Sequence, residues 1–171
     1  EPQGPVHLDL PEDVALASAT EEAPPIPEGK KFRPAPDSAI EKFGQLLRDA
    51  KRPVAVLGSS AMRMKDIGSL RSFVEKHQIP FASTTMAKGL IDEDHPLSIG
   101  CIERSCRQLQ RNFLRESDLI IGLGYDVIEV EYETWIGDVP LAHVDIGPAD
   151  TDASVNVAHE VVGDLDASIR R

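Results

Sequence analysis

Positive charge is scarce in this sequence: 18 Lys and Arg stand against 29 Asp and Glu, a net charge of −11 at pH 7. A nucleic-acid binder needs clustered positive charge to replace condensed counterions, so that class is excluded. No apolar run approaches the roughly 18–20 residues of a membrane span, so no membrane partner is expected. The first residues show no basic segment leading into an apolar one, and no secretory signal is visible. The two cysteines, Cys101 and Cys106, are too few and too oddly spaced for a zinc site or a CxxC pair. They read as reduced cytosolic thiols, with at least one packed in a core. The five histidines, at 7, 77, 95, 143 and 159, form no HxxxH or HExxH spacing, so no metal site is expected.

What is present is enough for one domain. The chain has 171 residues, 41% of them hydrophobic, and domains of about 100–150 residues sustain a single core. It opens Glu1-Pro2-Gln3-Gly4-Pro5 without an initiator Met, which suggests a piece of something longer. Eight of the 13 prolines fall in the first 36 residues, a density that removes backbone donors and disfavours regular structure. One alternating run there, Val6-His7-Leu8-Asp9-Leu10, has strand character before Pro11 stops it. Residues 1–36 are therefore expected to be the tail of a preceding domain plus a linker stiffened at Ala23-Pro24-Pro25-Ile26-Pro27. The central domain is expected over residues 37–171.

From Asp37 the pattern becomes periodic. Ser38 and Glu41 have capping-box spacing, and Ile40, Phe43, Leu46, Leu47 and Ala50 repeat at helical spacing until Pro53. Pro53–Gly58, Leu119–Gly124 and Leu141–Ile146 are short apolar runs typical of strands buried on both faces. Ile67, Leu70, Phe73, Val74 and His77 mark another helix, and Phe81-Ala82-Ser83 a short strand. Val155–Ala158 and Glu160–Gly163 are weaker strand candidates, and Asp164 caps a last helix through Ile169. In segment 102–115 two stripes compete. Ile102, Cys106, Leu109 and Phe113 form an apolar one, while Arg104, Arg107, Arg111 and Arg115 form a solvated one. Residues 116–169 hold thirteen acids and no Lys or Arg, so the arginines are expected to partner acids later in the chain or in another subunit. Helices alternating with apolar strands imply a three-layer, Rossmann-like α/β domain. Its sheet should be mainly parallel, with helices on both faces.

Ligands in such sheets bind at the carboxyl ends of strands. Gly58-Ser59-Ser60 and Gly124-Tyr125-Asp126 stand at two of those ends. Backbone amides and hydroxyls there could hold a phosphate, or the glycines could simply make tight turns. Spacing does not decide between these, since Val127 breaks a dinucleotide fingerprint. Ser59 and Ser60 lack the GxSxG elbow. Asp94-His95 reads as a turn before Pro96, and Glu129, Glu131 and Glu133 alternate like a solvent face.

In order along the chain, several segments resemble the central domain of thiamine-diphosphate-dependent enzymes of the acetolactate synthase group. Gly4–Val14 is similar to that family's GPVhldlPxDV segment, and Arg52–Gly58 to its first central strand. Thr84-Thr85-Met86-Ala87-Lys88-Gly89 with Asp94–Gly100 is similar to its TxxxKGxxxxDHPLxxG stretch. Ser117–Gly124, His143–Ile146 and Val162–Leu165 are similar to its later strands. The resemblance implies a six-stranded sheet and a parent enzyme that condenses 2-oxo acids with decarboxylation. It implies that thiamine diphosphate and Mg²⁺ are bound outside this segment, by flanking pyrimidine- and diphosphate-binding domains of a cytoplasmic homo-oligomer. No catalytic residue is expected here. The FAD-binding members carry a GxRFDDR-like run where this chain has Gly124-Tyr125-Asp126-Val127-Ile128-Glu129, closer to the FAD-independent type. FAD is therefore not expected. The residues marked for a nucleotide pocket are Gly58, Ser59, Ser60, Thr84, Thr85, Met86, Lys88, Gly124, Tyr125, Asp126 and Asp145. The alternative is a stand-alone nucleotide-binding module of the same fold.

Overall fold

The structure is a computed structural model. It describes residues 5–19, 22–26, 28–29, 31–102, 107–125, 129, 136–151 and 153–171. The chain divides into two compact units, Glu1–Lys31 and Phe32–Arg171. In the first, the Val6–Leu10 run, whose strand character has no neighbouring strand to pair with among this unit's described residues, forms no strand. Residues 5–10 carry no regular structure, and Val6, Leu8 and Leu10 are 91%, 83% and 61% exposed. An alternating run becomes a strand only when a neighbour supplies backbone partners. The regular element of this unit is instead one short helix, α1 (Glu12–Leu16).

The second unit is built on six parallel strands: β1 (Pro53–Leu57), β2 (Phe81–Thr84), β3 (Ser98–Ile102), β4 (Leu119–Leu123), β5 (Leu141–Asp145) and β6 (Val157–Val162). Their order is β3-β2-β1-β4-β5-β6, and every pairing is parallel. The mainly parallel sheet expected from the sequence is thus wholly parallel. Because side chains alternate along a strand, β1 serves two cores. Ala55 and Leu57 face one with Leu70, Val74, Phe81, Ile121 and Val144. Val54 and Val56 face another with Ala82, Ile102, Leu114, Ile120 and Leu141.

Helices cover both faces. On the first lie α2 (Asp37–Asp49), α3 (Ile67–His77) and α5 (Leu165–Ile169), whose apolar residues pack into the first core. On the second lies α4 (Arg107–Arg115), through Leu114. Two helix starts are capped by an Asp side chain, that of α5 as its sequence signal predicts. Asp66 accepts the Ser69 N–H at the head of α3, and Asp164 accepts the Ala167 N–H at the head of α5. The capping box does not form: α2 starts at Asp37 after Pro36, with no side-chain cap. Pro36 fits at that position because its own missing N–H is not needed there.

The segment 102–115 differs most from expectation. Ile102 belongs to β3, which the sequence reading did not assign. Gly100 interrupts its apolar run at φ +91°, and β3 is a half-buried edge strand, so its signal was weak. In α4, Leu109 and Phe113 are 79% and 43% exposed, whereas Leu114 is fully buried and Arg111 is 9% exposed. The expected apolar stripe therefore points to solvent, and one arginine of the solvated stripe is buried. Arg104 and Cys106 lie outside the described residues. Phe32–Pro36, placed in the linker by sequence, pack on the sheet unit. Asp164 N–H bonds the Arg33 carbonyl at 2.8 Å, and Ala35 is buried against Gly163.

Candidate functional site

The sheet order reverses between β1 and β4, the place where a doubly wound sheet opens a crevice at its carboxyl edge. Here the crevice is closed by backbone. Gly58 N–H donates to the Leu123 carbonyl and Ser60 N–H to the Gly124 carbonyl, both at 3.0 Å. A Cβ on Gly58 would stand 2.3 Å from the Gly124 carbonyl oxygen, and one on Gly124 would stand 2.3 Å from the Ala61 nitrogen. Gly124 also takes φ +62°, which side-chain-bearing residues adopt at a cost. Both glycines are used for close strand-end packing.

Above this contact sits a carboxylate. Glu129 accepts the Ser59 N–H at 3.0 Å from each oxygen and the Ser59 hydroxyl at 2.9 Å. It also accepts the Thr84 hydroxyl at 2.6 Å. Thr84 ends β2 and is fully buried. Donors from the ends of β1 and β2 thus converge on one anionic group, and hydrogen bonds to an ionised acceptor are the stronger kind. Sequence reading placed Glu129 on a solvent face; the structure makes it half-buried and bonded to the strand ends. The available signal was an acid-rich segment without cations beside two Ser/Thr-bearing strand ends.

The other marked residues distribute along the same edge. Tyr125 is buried beside Gly124, and its carbonyl accepts the Nε2–H of buried His143 at 3.0 Å. A carbonyl can only accept, so His143 carries its proton on Nε2. Thr85 and Met86 lie in the 3₁₀ turn after β2, with Met86 65% exposed. Lys88 meets Glu93 at 3.3 Å on the surface. Asp145, at the end of β5, is separated from β1 by β4, and its Oδ1 accepts the Ile146 N–H at 2.6 Å. Asp126 lies outside the described residues, as do Glu131 and Glu133. His95 forms a turn: its N–H bonds the Asp92 carbonyl, and its ring touches Glu75 at 3.1 Å and lies tilted against Phe81, ring centroids 5.6 Å apart. The Arg71 guanidinium first, and His95 second, hold the Glu75 carboxyl below its ordinary value.

Two of the late acids bond main-chain amides: Asp118 accepts the backbone N–H groups of Lys51 and Arg52, and Asp166 those of Lys65 and Asp66. A cleft of about 1110 Å³ opens between α2, α3 and α5, lined in part by Phe43, Leu47, Phe73 and Ile169, and contains none of the marked residues.

A family model described as "Thiamine pyrophosphate enzyme, central domain" matches residues 40–171. The chain belongs to that family. An acetolactate synthase large subunit of Parasynechococcus marenigrum is 30% identical to this chain over 176 residues, covering 98% of it and 28% of the relative. Oxalyl-CoA decarboxylase of Escherichia coli K12 is also 30% identical over 176 residues, covering 98% and 30% respectively. A solved structure described as a thiamin diphosphate-dependent enzyme of Mycobacterium smegmatis shares the fold at TM-score 0.66 and 23% identity, over 80% of this chain and 27% of that one. The domain thus spans under a third of the length of each of these proteins. No helix among the described residues is long and apolar enough to cross a membrane.

The family depends on thiamine diphosphate, and its ordinary companion ion is Mg²⁺. The residues here do not fit that pair. Among the described residues, no group of three or more His, Cys, Asp or Glu could hold a metal ion, and the strand-end donors face a carboxylate that would repel a diphosphate.

Proposed function

We propose that this domain works as the structural centre of an acetolactate-synthase-like enzyme that condenses 2-oxo acids with decarboxylation. Flanking pyrimidine- and diphosphate-binding domains hold thiamine diphosphate and Mg²⁺, within a cytoplasmic homo-oligomer. The domain spaces those neighbours, contributes no catalytic residue and holds no tightly bound FAD. The single observation that carries the scaffold role is the Glu129 carboxylate bonded to Ser59 and Thr84, where a stand-alone nucleotide module would need room for a phosphate. The synthase assignment rests on the similarity to acetolactate synthase large subunits.

A second reading is favoured by one observation: the oxalyl-CoA decarboxylase of E. coli K12 shows the same 30% identity. In that case the parent removes CO₂ from an oxalyl thioester, leaving a formyl thioester, instead of joining two oxo acids. The complete enzyme, supplied with thiamine diphosphate and Mg²⁺, separates the two. Acetolactate formed from pyruvate supports the synthase, and CO₂ released only from the free carboxylate of an oxalyl thioester, leaving the formyl thioester, supports the decarboxylase. The 171-residue chain alone is expected to form no acetolactate under the same conditions. Turnover by this chain alone would overturn the scaffold role, as would yellow protein releasing stoichiometric FAD on denaturation.

A further inference from the structure

We infer that Glu129 is a built-in occupant of an anion site formed by the ends of β1 and β2, and that it sets the domain's rejection of phosphate-bearing ligands. The inference deepens the reading of the domain as a scaffold, and rests on it. Three donors converge on the carboxylate from two strands adjacent in the sheet: Ser59 N–H, Ser59 Oγ and Thr84 Oγ1, at 2.6–3.0 Å. A main-chain N–H with two hydroxyls is a donor set that suits phosphate oxygens as well as carboxylate oxygens. The surroundings are firm. Thr84 is fully buried, and the backbone below the site is locked by the Gly58–Gly124 contact, which leaves no space even for a methyl group. The donors are therefore held in place whether or not the carboxylate is present.

The carboxylate excludes an external anion in two ways. It fills the space in front of the donors, and its charge opposes a second anion at close range. An apolar or neutral ligand would meet only the first obstacle. The class of ligand these donors would take is a phosphate monoester or diphosphate, with adenosine diphosphate as the representative.

The test compares wild type with Glu129→Ala and Glu129→Gln in the same 171-residue chain. Calorimetric titration with inorganic phosphate and ADP is paired with thermal melts. Wild type is expected to bind neither. Glu129→Ala is expected to melt earlier, to bind both probes with at least about tenfold higher affinity than wild type, and to regain melting temperature with either probe. Glu129→Gln keeps the bulk without the charge and is expected to show a smaller gain. Adding Thr84→Val to Glu129→Ala removes one donor and should abolish the gained binding. Were Glu129→Ala to misfold, the Glu129→Gln titration would decide the matter alone. Equal ADP binding by wild type and Glu129→Ala would overturn the inference, as would folded variants that gain nothing, or rescue by acetate without phosphate. None of these outcomes bears on acetolactate formation by the complete enzyme, so the domain's wider role stands or falls separately.

Discussion

The Asp118 carboxylate accepts the backbone N–H of Lys51 at 2.7 Å, tying the start of β4 to the turn before β1 across 67 positions of sequence. A second bond, from Arg52 N–H at 2.8 Å, makes the attachment two-pronged. Burial, the strongest single influence, pushes this carboxyl up. The bonds from Lys51 and Arg52, with the Arg52 charge, outweigh it and hold the group below its ordinary 3.8.

Replacing Asp118 by Asn leaves one oxygen and turns an amide N–H₂ toward one of the two donors. Both donors are exposed, so water can replace the lost partner and the expected loss at neutral pH is about 0.5–1.5 kcal/mol, the net worth of an ordinary hydrogen bond. The sign with pH follows from the lowered carboxyl. Its contribution is complete above the unfolded-state value and disappears as pH falls through the lower folded-state value. The gap between wild type and Asp118→Asn should therefore be widest near neutrality and close in acid below 3.8. Urea denaturation of both proteins across that range checks it.

Two glycines with positive φ separate backbone strain from packing. Gly89 takes φ +83° with nothing within 4 Å of a built Cβ, whereas Gly124 takes φ +62° with Ala61 N at 2.3 Å. Gly89→Ala should cost about 1–2 kcal/mol, the left-handed penalty alone. Gly124→Ala adds overpacking of about 1–3 kcal/mol and should cost roughly 2–5 kcal/mol in total. Denaturant midpoints with unchanged slopes would confirm the order; equal losses would contradict the close approach.

Helix α4 offers a test of its orientation. Leu114 is fully buried and Leu109 is 79% exposed. Leu114→Ala should therefore cost about 2–5 kcal/mol, as core truncations do, while Leu109→Ala should stay within about 0.5 kcal/mol of wild type. Thermal melts of the two variants decide which leucine faces the sheet.

The central strands were legible because their signals are local. Pro53–Leu57, Leu119–Leu123 and Leu141–Asp145 are apolar on both faces, and a run of that kind has few other uses. Edge elements were harder. β3 carries a glycine and is half-buried except at Ile102, and β6 is half-buried or exposed except at Val161, so neither gives a continuous run. Orientation of α4 was misread because Leu109 and Phe113 are apolar yet face outward, and hydrophobic spacing registers residue type without knowing what covers it. The site divided the same way. Gly58, Ser59, Thr84 and Gly124 were found from strand ends, but Glu129 was not. Its partner Ser59 lies 70 positions away, and no local pattern reports a bond of that span.

Strand order also dictates when the sheet can be completed. β1 pairs with β4 at its centre, although α3, β2, β3 and α4 all intervene in the chain. The pairs β1–β2 and β4–β5 close much shorter loops. Loop closure costs entropy that grows with length, and non-local strand pairing slows folding toward the millisecond-to-second range. The half-sheets β1–β2–β3 and β4–β5–β6 are therefore the units expected to assemble first, with their docking as the late step. The Gly58–Gly124 contact exists only after that docking. The donors of the niche, Ser59 and Thr84, therefore come together within the first half-sheet, whereas Glu129, carried beyond β4, enters the niche only with the docking; its hydrogen bonds to them mark the last event rather than the first.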